Sequence, residues 1–277
     1  MTKKTIIIHS KVSYGYVGSN TTSFVLQSAG HDVITVPTVL YSNHLGYPTV
    51  GGGAVPSSLF ESILEGILKL SVEQEIDAII TGYIGNAELV QITAAFIKKL
   101  KKLNPEIFFV CDPVMGDIVP GLYVPTDVPQ AIIEQLIPLA DLITPNQFEF
   151  QQITGKPAVH IDEMAQQLNQ LVKTLPKQVV ITGCYLSTTE KNMLDICVSE
   201  TNTLYLFNSP KIPVNPPGTG ELFTAHLLLS MFEGEDLRSA ASSSATILST
   251  VLLKMHEESR REFDLSDLLF SLSITGR

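Results

Sequence analysis

Short β-rich runs alternate with amphipathic helical stretches along almost the whole 277-residue chain, and this alternation restricts the fold more than any single motif does. Strands are predicted over Thr5–His9, Asp32–Pro37, Asp77–Thr81, Ile107–Cys111, Leu142–Thr144 and Val179–Thr182. Two more, Leu194–Ser199 and Thr203–Phe207, are close enough to form an antiparallel hairpin through Glu200-Thr201-Asn202. Helical periodicity occupies Ser19–Ala29, Ser57–Leu70, Ala87–Leu103, Val128–Ile137, Asp162–Leu175, Glu221–Phe232 and Leu237–His256. Such alternation implies right-handed βαβ units and a mostly parallel sheet covered on both faces, an α/β fold. No internal repeat or low-complexity linker interrupts it, so residues 1–277 read as a single domain.

Composition narrows the function. A formal net charge of −10 with no compensating basic block argues against nucleic-acid binding. Lys98, Lys99, Lys101 and Lys102 suit the negative end of a helix and read as a solvated face. Cys111, Cys184 and Cys197 are odd in number and lack metal-type spacing, which fits a reducing cytoplasm. The start of the chain is too short in apolar residues for a signal peptide, and no run is long enough to span a membrane, so a soluble cytoplasmic protein is expected.

Polar groups recur where the predicted strands end: His9-Ser10, Thr81-Gly82-Tyr83, Cys111-Asp112-Pro113, Thr144-Pro145-Asn146 and Thr182-Gly183. In open parallel sheets the carboxyl ends of strands line the ligand crevice, so these groups are candidates for one shared site. A further candidate is Pro216-Pro217-Gly218-Thr219-Gly220-Glu221, just before an apolar helical run. A glycine-flanked helix start presents unpaired N–H groups and the positive end of the dipole, an arrangement suited to phosphate. A carboxylate beside it repels the anion but can take a proton from a hydroxyl that attacks a phosphoryl group. Glu221 is equally open to a simpler reading, as an acidic first-turn residue that complements the dipole.

Two acidic segments also carry alternatives. Asp112, in Asp112-Pro113-Val114-Met115-Gly116-Asp117, is either an anchor for hydrated Mg²⁺ and its phosphates or part of a turn. In Thr144-Pro145-Asn146-Gln147-Phe148-Glu149, proline can open a helix, with Asn146 and Glu149 three apart on one face. That pair either orients Mg²⁺-bound water and triphosphate oxygens or simply caps a surface helix. The chain has no G-x-x-x-x-G-K-[ST], no strand-linked G-x-G-x-x-G, no H-E-x-x-H and no nucleophile elbow, which disfavours P-loop, dinucleotide, zincin and serine-hydrolase chemistry.

Together these segments resemble the pyridoxal kinases of the ribokinase-like superfamily, a three-layer αβα sandwich. The resemblance also rests on Ser10-Lys11-Val12-Ser13-Tyr14-Gly15-Tyr16-Val17-Gly18 and on Tyr41-Ser42-Asn43-His44-Leu45-Gly46-Tyr47. It implies ATP-dependent phosphorylation of the 5′-hydroxymethyl group of pyridoxal, pyridoxine or pyridoxamine, giving the 5′-phosphate and ADP. Ser10 is then expected to bind the pyridine substituents, with Val12, Tyr83 and a flap of Tyr41, Ser42, His44 and Leu45 closing over the ring. Gly51-Gly52-Gly53 offers that flap a flexible edge. Asp112 and Glu149 are the expected Mg²⁺ residues, and with Asn146 they organise the triphosphate. Thr144 and Thr182 meet phosphate oxygens or the nucleotide, and Asn208–Val214, with Ser209, Pro210, Lys211, Ile212 and Val214, borders the nucleoside. Gly218, Thr219 and Gly220 stabilise charge on the transferred group, with Glu221 as general base. A homodimer and a monovalent cation such as K⁺ are implied as well.

The chain departs from that pattern twice: Glu221 stands where aspartate is usual, and Leu45 where a hydroxyl residue, usually threonine, follows Ser-Asn-His. Glutamate extends the carboxylate by one methylene, roughly 1.5 Å of reach. A misplacement of about 1 Å can cost on the order of 10²-fold in rate unless the pocket compensates. These departures keep two other readings open: a hydroxymethylpyrimidine kinase, and a vitamer- or nucleotide-binding protein without turnover.

Overall fold

Burial along the strands explains the layering. In the computed structural model, which describes residues 1–171, 174–200, 203–274 and 276, strand β1 (Lys4–Val12) sends Ile6 and Ile8 into one core and Ile7 into another. Successive side chains of a strand point to opposite faces, so an unbroken apolar run needs cover on both. One face is covered by α2 (Ser57–Lys69), α3 (Ala87–Leu103), α4 (Val128–Gln135), α5 (Gln147–Thr154) and α6 (Ile161–Gln170), which contribute Phe60, Phe96, Ile132, Phe150 and Met164. The other is covered by α1 (Ser19–Ser28), α7 (Thr219–Phe232), α8 (Leu237–Glu257) and α9 (Leu265–Ser273), through Leu26, Leu228, Val251 and Leu268. The result is a three-layer αβα arrangement.

The remaining strands are β2 (Asp32–Tyr41), β3 (Gly52–Ala54), β4 (Ala78–Thr81), β5 (Phe108–Cys111), the short hairpin β6 (Gly116–Asp117) and β7 (Gly121–Leu122), β8 (Leu142–Ile143), β9 (Gln178–Cys184), β10 (Met193–Glu200) and β11 (Thr203–Pro210). The main sheet runs β11-β10-β9-β8-β5-β4-β1-β2-β3, parallel from β9 to β2, with β10, β11 and β3 joined by antiparallel pairing. From β1 the chain goes first to β2 on one side and then to β4 on the other, the reversal of order at which open α/β sheets place their ligand crevice. That crevice lies beyond His9-Ser10 and Thr81-Gly82.

Several boundaries differ from expectation. Strand β1 continues through Ser10 to Val12, and β2 continues past Pro37 to Tyr41. His9 pairs with Pro37 but Lys11 with Leu40, so an extra β2 residue opposes Ser10, and the proline sits where the ladder is already interrupted. The triple glycine is no loose edge: Gly52 and Gly53 pair with Tyr41 and Leu40 in β3. Gly52 has φ +98°, and a Cβ there would lie 2.0 Å from the Leu40 carbonyl oxygen. Helix α4 stops at Gln135, ahead of a 3₁₀ turn at Ile137–Leu139 that contains Pro138. Helix α6 ends at Gln170, short of the predicted Leu175, and Val172 and Lys173 lie outside the described residues, as do Thr201 and Asn202 of the predicted hairpin turn. The flanking strands do pair as expected, Glu200 opposite Thr203. Helix α9 escaped the sequence reading, although Asp264 and Asp267 form a capping box at its start.

Candidate active site

The loop after β1 and the first turn of α7 meet at one carboxylate. Glu221 Oε1 accepts a hydrogen bond from the Gly18 N–H at 2.9 Å, across 203 residues of sequence. Gly18 precedes α1 with φ +58°, and a Cβ there would fall 2.2 Å from Ser10 Oγ and 2.6 Å from the Ser10 carbonyl oxygen. Only glycine lets the loop lie this close to Ser10.

Helix α7 begins at Thr219, two residues earlier than predicted, so the glycine-threonine-glycine amides belong to its first turn. Gly218 flanks it with φ +98°, and a Cβ there would lie 2.6 Å from the Tyr16 carbonyl oxygen. The Leu222 N–H closes onto the Gly218 carbonyl at 3.0 Å, and the N–H groups of Thr219, Gly220 and Glu221 precede the first position that can find an acceptor within the helix. Residues Leu222–Ser230 behind them are buried, which holds this turn rigidly against the sheet.

Beside that turn sits Asp112, buried after β5, its Oδ2 accepting from Thr224 Oγ1 at 3.4 Å. The Thr224 and Thr144 hydroxyls are 3.2 Å apart, which ties the end of β8 to α7. Burial, then the charges of Glu149 and Glu221, hold the Asp112 carboxyl well above the usual carboxylate range. Glu149 is buried as well; desolvation pushes it up to about 7 against the backbone N–H groups it accepts from. Those groups are Met115 (2.9 Å) and Gly116 (3.4 Å) on Oε1 and Asn146 (2.9 Å) on Oε2. Asn146 is the N-cap of α5 rather than a residue of its helical face: its side chain accepts from the Glu149 N–H and donates to the Gly116 carbonyl at 2.8 Å. The capping arrangement weighed in the sequence is therefore present, and the same Glu149 faces the acidic centre. The pile-up of buried negative charge suits a hard cation, whose oxygen-ligand chemistry matches these carboxylates. Among the described residues no three His, Cys, Asp or Glu side chains converge as a metal cage, so a cation here would complete its shell with water and phosphate oxygens.

On the other side of the crevice, Thr182 is bridged to Asn146, its N–H donating to the Pro145 carbonyl at 2.9 Å. Ser209 and Pro210 are the last residues of β11, paired with Leu194 and Met193, and the Lys211 N–H bonds the Asn192 carbonyl at 2.8 Å. Lys211 Nζ stands 4.8 Å above the Tyr185 ring, and Ile212 and Val214 form a tight turn beyond it. This rim contains a polar group the sequence reading missed, buried Asp195, which accepts from Asn208 and Thr189.

The candidate vitamer residues divide. Ser10 and Val12 lie on β1, Tyr41 pairs with Val12, and buried Tyr83 follows β4, all at the carboxyl end of the parallel strands. Thr38 Oγ1 donates to the Tyr83 carbonyl at 2.6 Å. Ser42 accepts from the Gly51 N–H at 2.8 Å and so closes the loop between β2 and β3. Leu45 is 47% exposed at the loop tip. His44 Nε2 is 3.3 Å from Glu262 Oε1, in the connection between α8 and α9, and Tyr47 lies against His44 at 4.7 Å between ring centres. Glu262 also drives the Tyr47 hydroxyl up to about 12. The Glu262 contact, like His9 beside Glu221, carried no motif; each becomes visible only when distant segments meet.

The chain matches the phosphomethylpyrimidine kinase family over residues 25–260. It is 31% identical over 247 residues to pyridoxal kinase PdxY of Corynebacterium diphtheriae, covering 88% of this chain and 87% of that one. Among solved structures, it is similar to the pyridoxal kinase of Leishmania donovani in complex with ADP and pyridoxamine, with TM-score 0.85, 28% identity, and 96% and 91% of the two chains covered. A Bacteroides thetaiotaomicron protein described as a phosphomethylpyrimidine kinase, in a crystal form with pyridoxal, superposes with TM-score 0.86 at 27% identity, over 99% and 96% of the chains. No helix among the described residues is long and apolar enough to cross a membrane.

Proposed function

Because the chain belongs to the phosphomethylpyrimidine kinase family, with pyridoxal kinases among its relatives at 31% identity, we propose that it transfers the γ-phosphoryl group of ATP to the 5′-hydroxymethyl group of a B6 vitamer. The observation that carries this reading is the contact of Glu221 with Gly18, which joins the Ser10 end of β1 to the anion-binding turn of α7.

The chemistry follows from that junction. The vitamer ring lies against Ser10, Val12, Tyr41 and Tyr83, with Ser42, His44 and Leu45 on the covering loop. Glu221, with Oε1 held by an amide, presents its other oxygen to the substrate hydroxyl and takes the proton as the oxygen attacks phosphorus. The amides of Gly218, Thr219 and Gly220 lie where charge grows on the transferred group, and such fixed donors need no reorganisation as it develops. Asp112 and Glu149 are the residues that would hold Mg²⁺, which neutralises phosphate charge when bound. Thr144, Asn146 and Thr182 border the triphosphate, and Ser209, Pro210, Lys211, Ile212 and Val214 border the nucleoside. In this reading the protein works as a cytoplasmic homodimer with K⁺ among its ions, as its resemblance to the family implies.

The test is direct detection of pyridoxal 5′-phosphate from pyridoxal, ATP, Mg²⁺ and K⁺. Product is expected from wild type, with kcat falling by about 10²–10⁴-fold in Glu221→Gln while nucleotide binding persists. Unchanged turnover in that variant removes Glu221 from the mechanism. Glu221→Asp in the same assay reads the effect of the longer side chain. A second reading is phosphorylation of a hydroxymethylpyrimidine, the free alcohol related to the pyrimidine for which the matched family is described. Parallel kcat/KM values for the two alcohols decide between them.

A further inference from the structure

Next to Glu221 lies a buried imidazole with no role in the reading above. His9 is 1% exposed at the interrupted end of β1. Its Nδ1 accepts the Ser10 N–H at 2.8 Å and lies 3.1 Å from Ser10 Oγ. An amide N–H can only donate, so Nδ1 carries no proton, and the ring proton must be on Nε2. Burial holds this imidazole below its ordinary value, with the charge of Glu221 opposing, so the ring is a neutral Nε2–H donor. That donor has no hydrogen-bond partner among the described residues, and Glu221 Oε1 is 4.0 Å away.

The surroundings are shaped to keep the ring there. A Cβ on Gly82 would fall 1.9 Å from His9 Nε2 and 2.0 Å from Cδ2, and one on Gly18 would lie 3.0 Å from Nδ1. Two glycines from different loops thus make the slot that aims Nε2 at the carboxylate. A glutamate side chain has one more free torsion than an aspartate, and a single amide contact leaves it room to swing. Hydrogen bonds in catalytic centres are often long without substrate and tighten in the reactive complex.

We propose that His9 is a positioning residue: its Nε2–H, together with the Gly18 N–H, clamps Oε1 of Glu221 and leaves Oε2 aimed at the substrate hydroxyl. The catalytic part of this inference rests on Glu221 being the general base; the contact itself does not. The ring also connects Ser10, at the vitamer end, to Glu221, at the phosphoryl end.

Long-range ¹H–¹⁵N spectra of the full chain labelled at histidine test the contact without turnover. The expected result is a bare Nδ1, a protonated Nε2, and a displaced Nε2–H resonance in Glu221→Gln. A proton on Nδ1, or an unmoved resonance, overturns the proposal. Kinetics with pyridoxal and ATP test the consequence. His9→Leu is expected to lower kcat roughly 10–30-fold with KM for ATP within about twofold, since only the base is misplaced. His9→Gln, whose amide oxygen can accept from Ser10 while its nitrogen donates to Glu221, is expected to recover kcat to within about threefold. His9→Asn keeps the acceptor but is too short to reach Glu221, and should resemble His9→Leu. Equal kcat in the Gln and Asn variants overturns the role even if His9→Leu fails to fold. If wild type phosphorylates no vitamer, the proposed reaction fails, and the resonance comparison still decides the contact.

Discussion

Asp112 concentrates the cost of this site in one side chain. It is buried, faces Glu149 and Glu221, and has one hydroxyl donor, Thr224. Its carboxyl is raised above the unfolded value of 3.8, so the folded protein holds its proton more tightly than the unfolded chain does. Stability from this group is therefore greatest at low pH and is lost as pH rises through the raised value. Asp112→Asn is expected to stabilise the ligand-free protein at pH 8 by about 1 kcal/mol or more, with the gain shrinking toward pH 4. The same variant should lose about 10²-fold or more in kcat, because the charge that would hold the cation is gone. Thermal unfolding at the two pH values, alongside the product assay, checks both; a destabilised variant at pH 8 contradicts the argument.

At the scale of elements, two devices set the site: the glycine start of α7 and the anchoring of the β2–β3 loop. Gly218 has φ +98° and no room for a Cβ beside the Tyr16 carbonyl. Gly218→Ala should cost about 1–3 kcal/mol in unfolding free energy and lower kcat, since the first-turn amides move with the backbone. Denaturant unfolding with parallel kinetics reads the two effects. The loop is held from the far end of the chain, where Glu262 meets His44 and affects Tyr47. Glu262→Ala is predicted to raise KM for the vitamer roughly threefold or more while kcat changes less, as expected when a covering loop is freed without touching the chemistry. An unchanged KM would mean that the contact has no part in closure.

Across the whole molecule, the last helix joins the second core to the site. Asp267 in α9 is fully buried, and it accepts from Arg260 and Lys254 and from the Asp264 N–H at 2.9 Å. Burial pushes its carboxyl up, but those donors outweigh it and hold it below the usual carboxylate value. Arg260 and Lys254 keep Glu258, and Arg260 also Asp264, but the Asp264 N–H loses its acceptor and the buried capping contact is gone, so Asp267→Ala should destabilise the protein by about 1–3 kcal/mol. The loosened connection includes Phe263, whose ring would be 3.4 Å from a Cβ on Gly218, and Glu262 beside the flap. Calorimetry and vitamer KM should therefore worsen together in this variant, whereas a purely remote packing defect would change only the first.

How much of this was legible beforehand depended on how local each cause is. Alternating apolar runs of period two and near 3.6 predicted the βαβ layering, because those periods follow from backbone geometry alone. The strand-end residues, from Ser10 to Thr182, were readable because a parallel sheet brings its carboxyl ends to one edge, and Gly218–Glu221 because a helix start carries its own anion chemistry. Strand ends were harder: the strand predicted over Asp32–Pro37 runs on to Tyr41, because Pro37 sits at a ladder irregularity that tolerates it. What the tertiary structure alone decided are contacts with no local signature. Glu221 meets Gly18 across 203 residues, and His44 meets Glu262 across 218. The slot of Gly18 and Gly82 turns His9 toward a carboxylate on another element. Periodicity specifies which face of an element is buried; which side chains then meet depends on sheet order and close packing, which only the assembled chain defines.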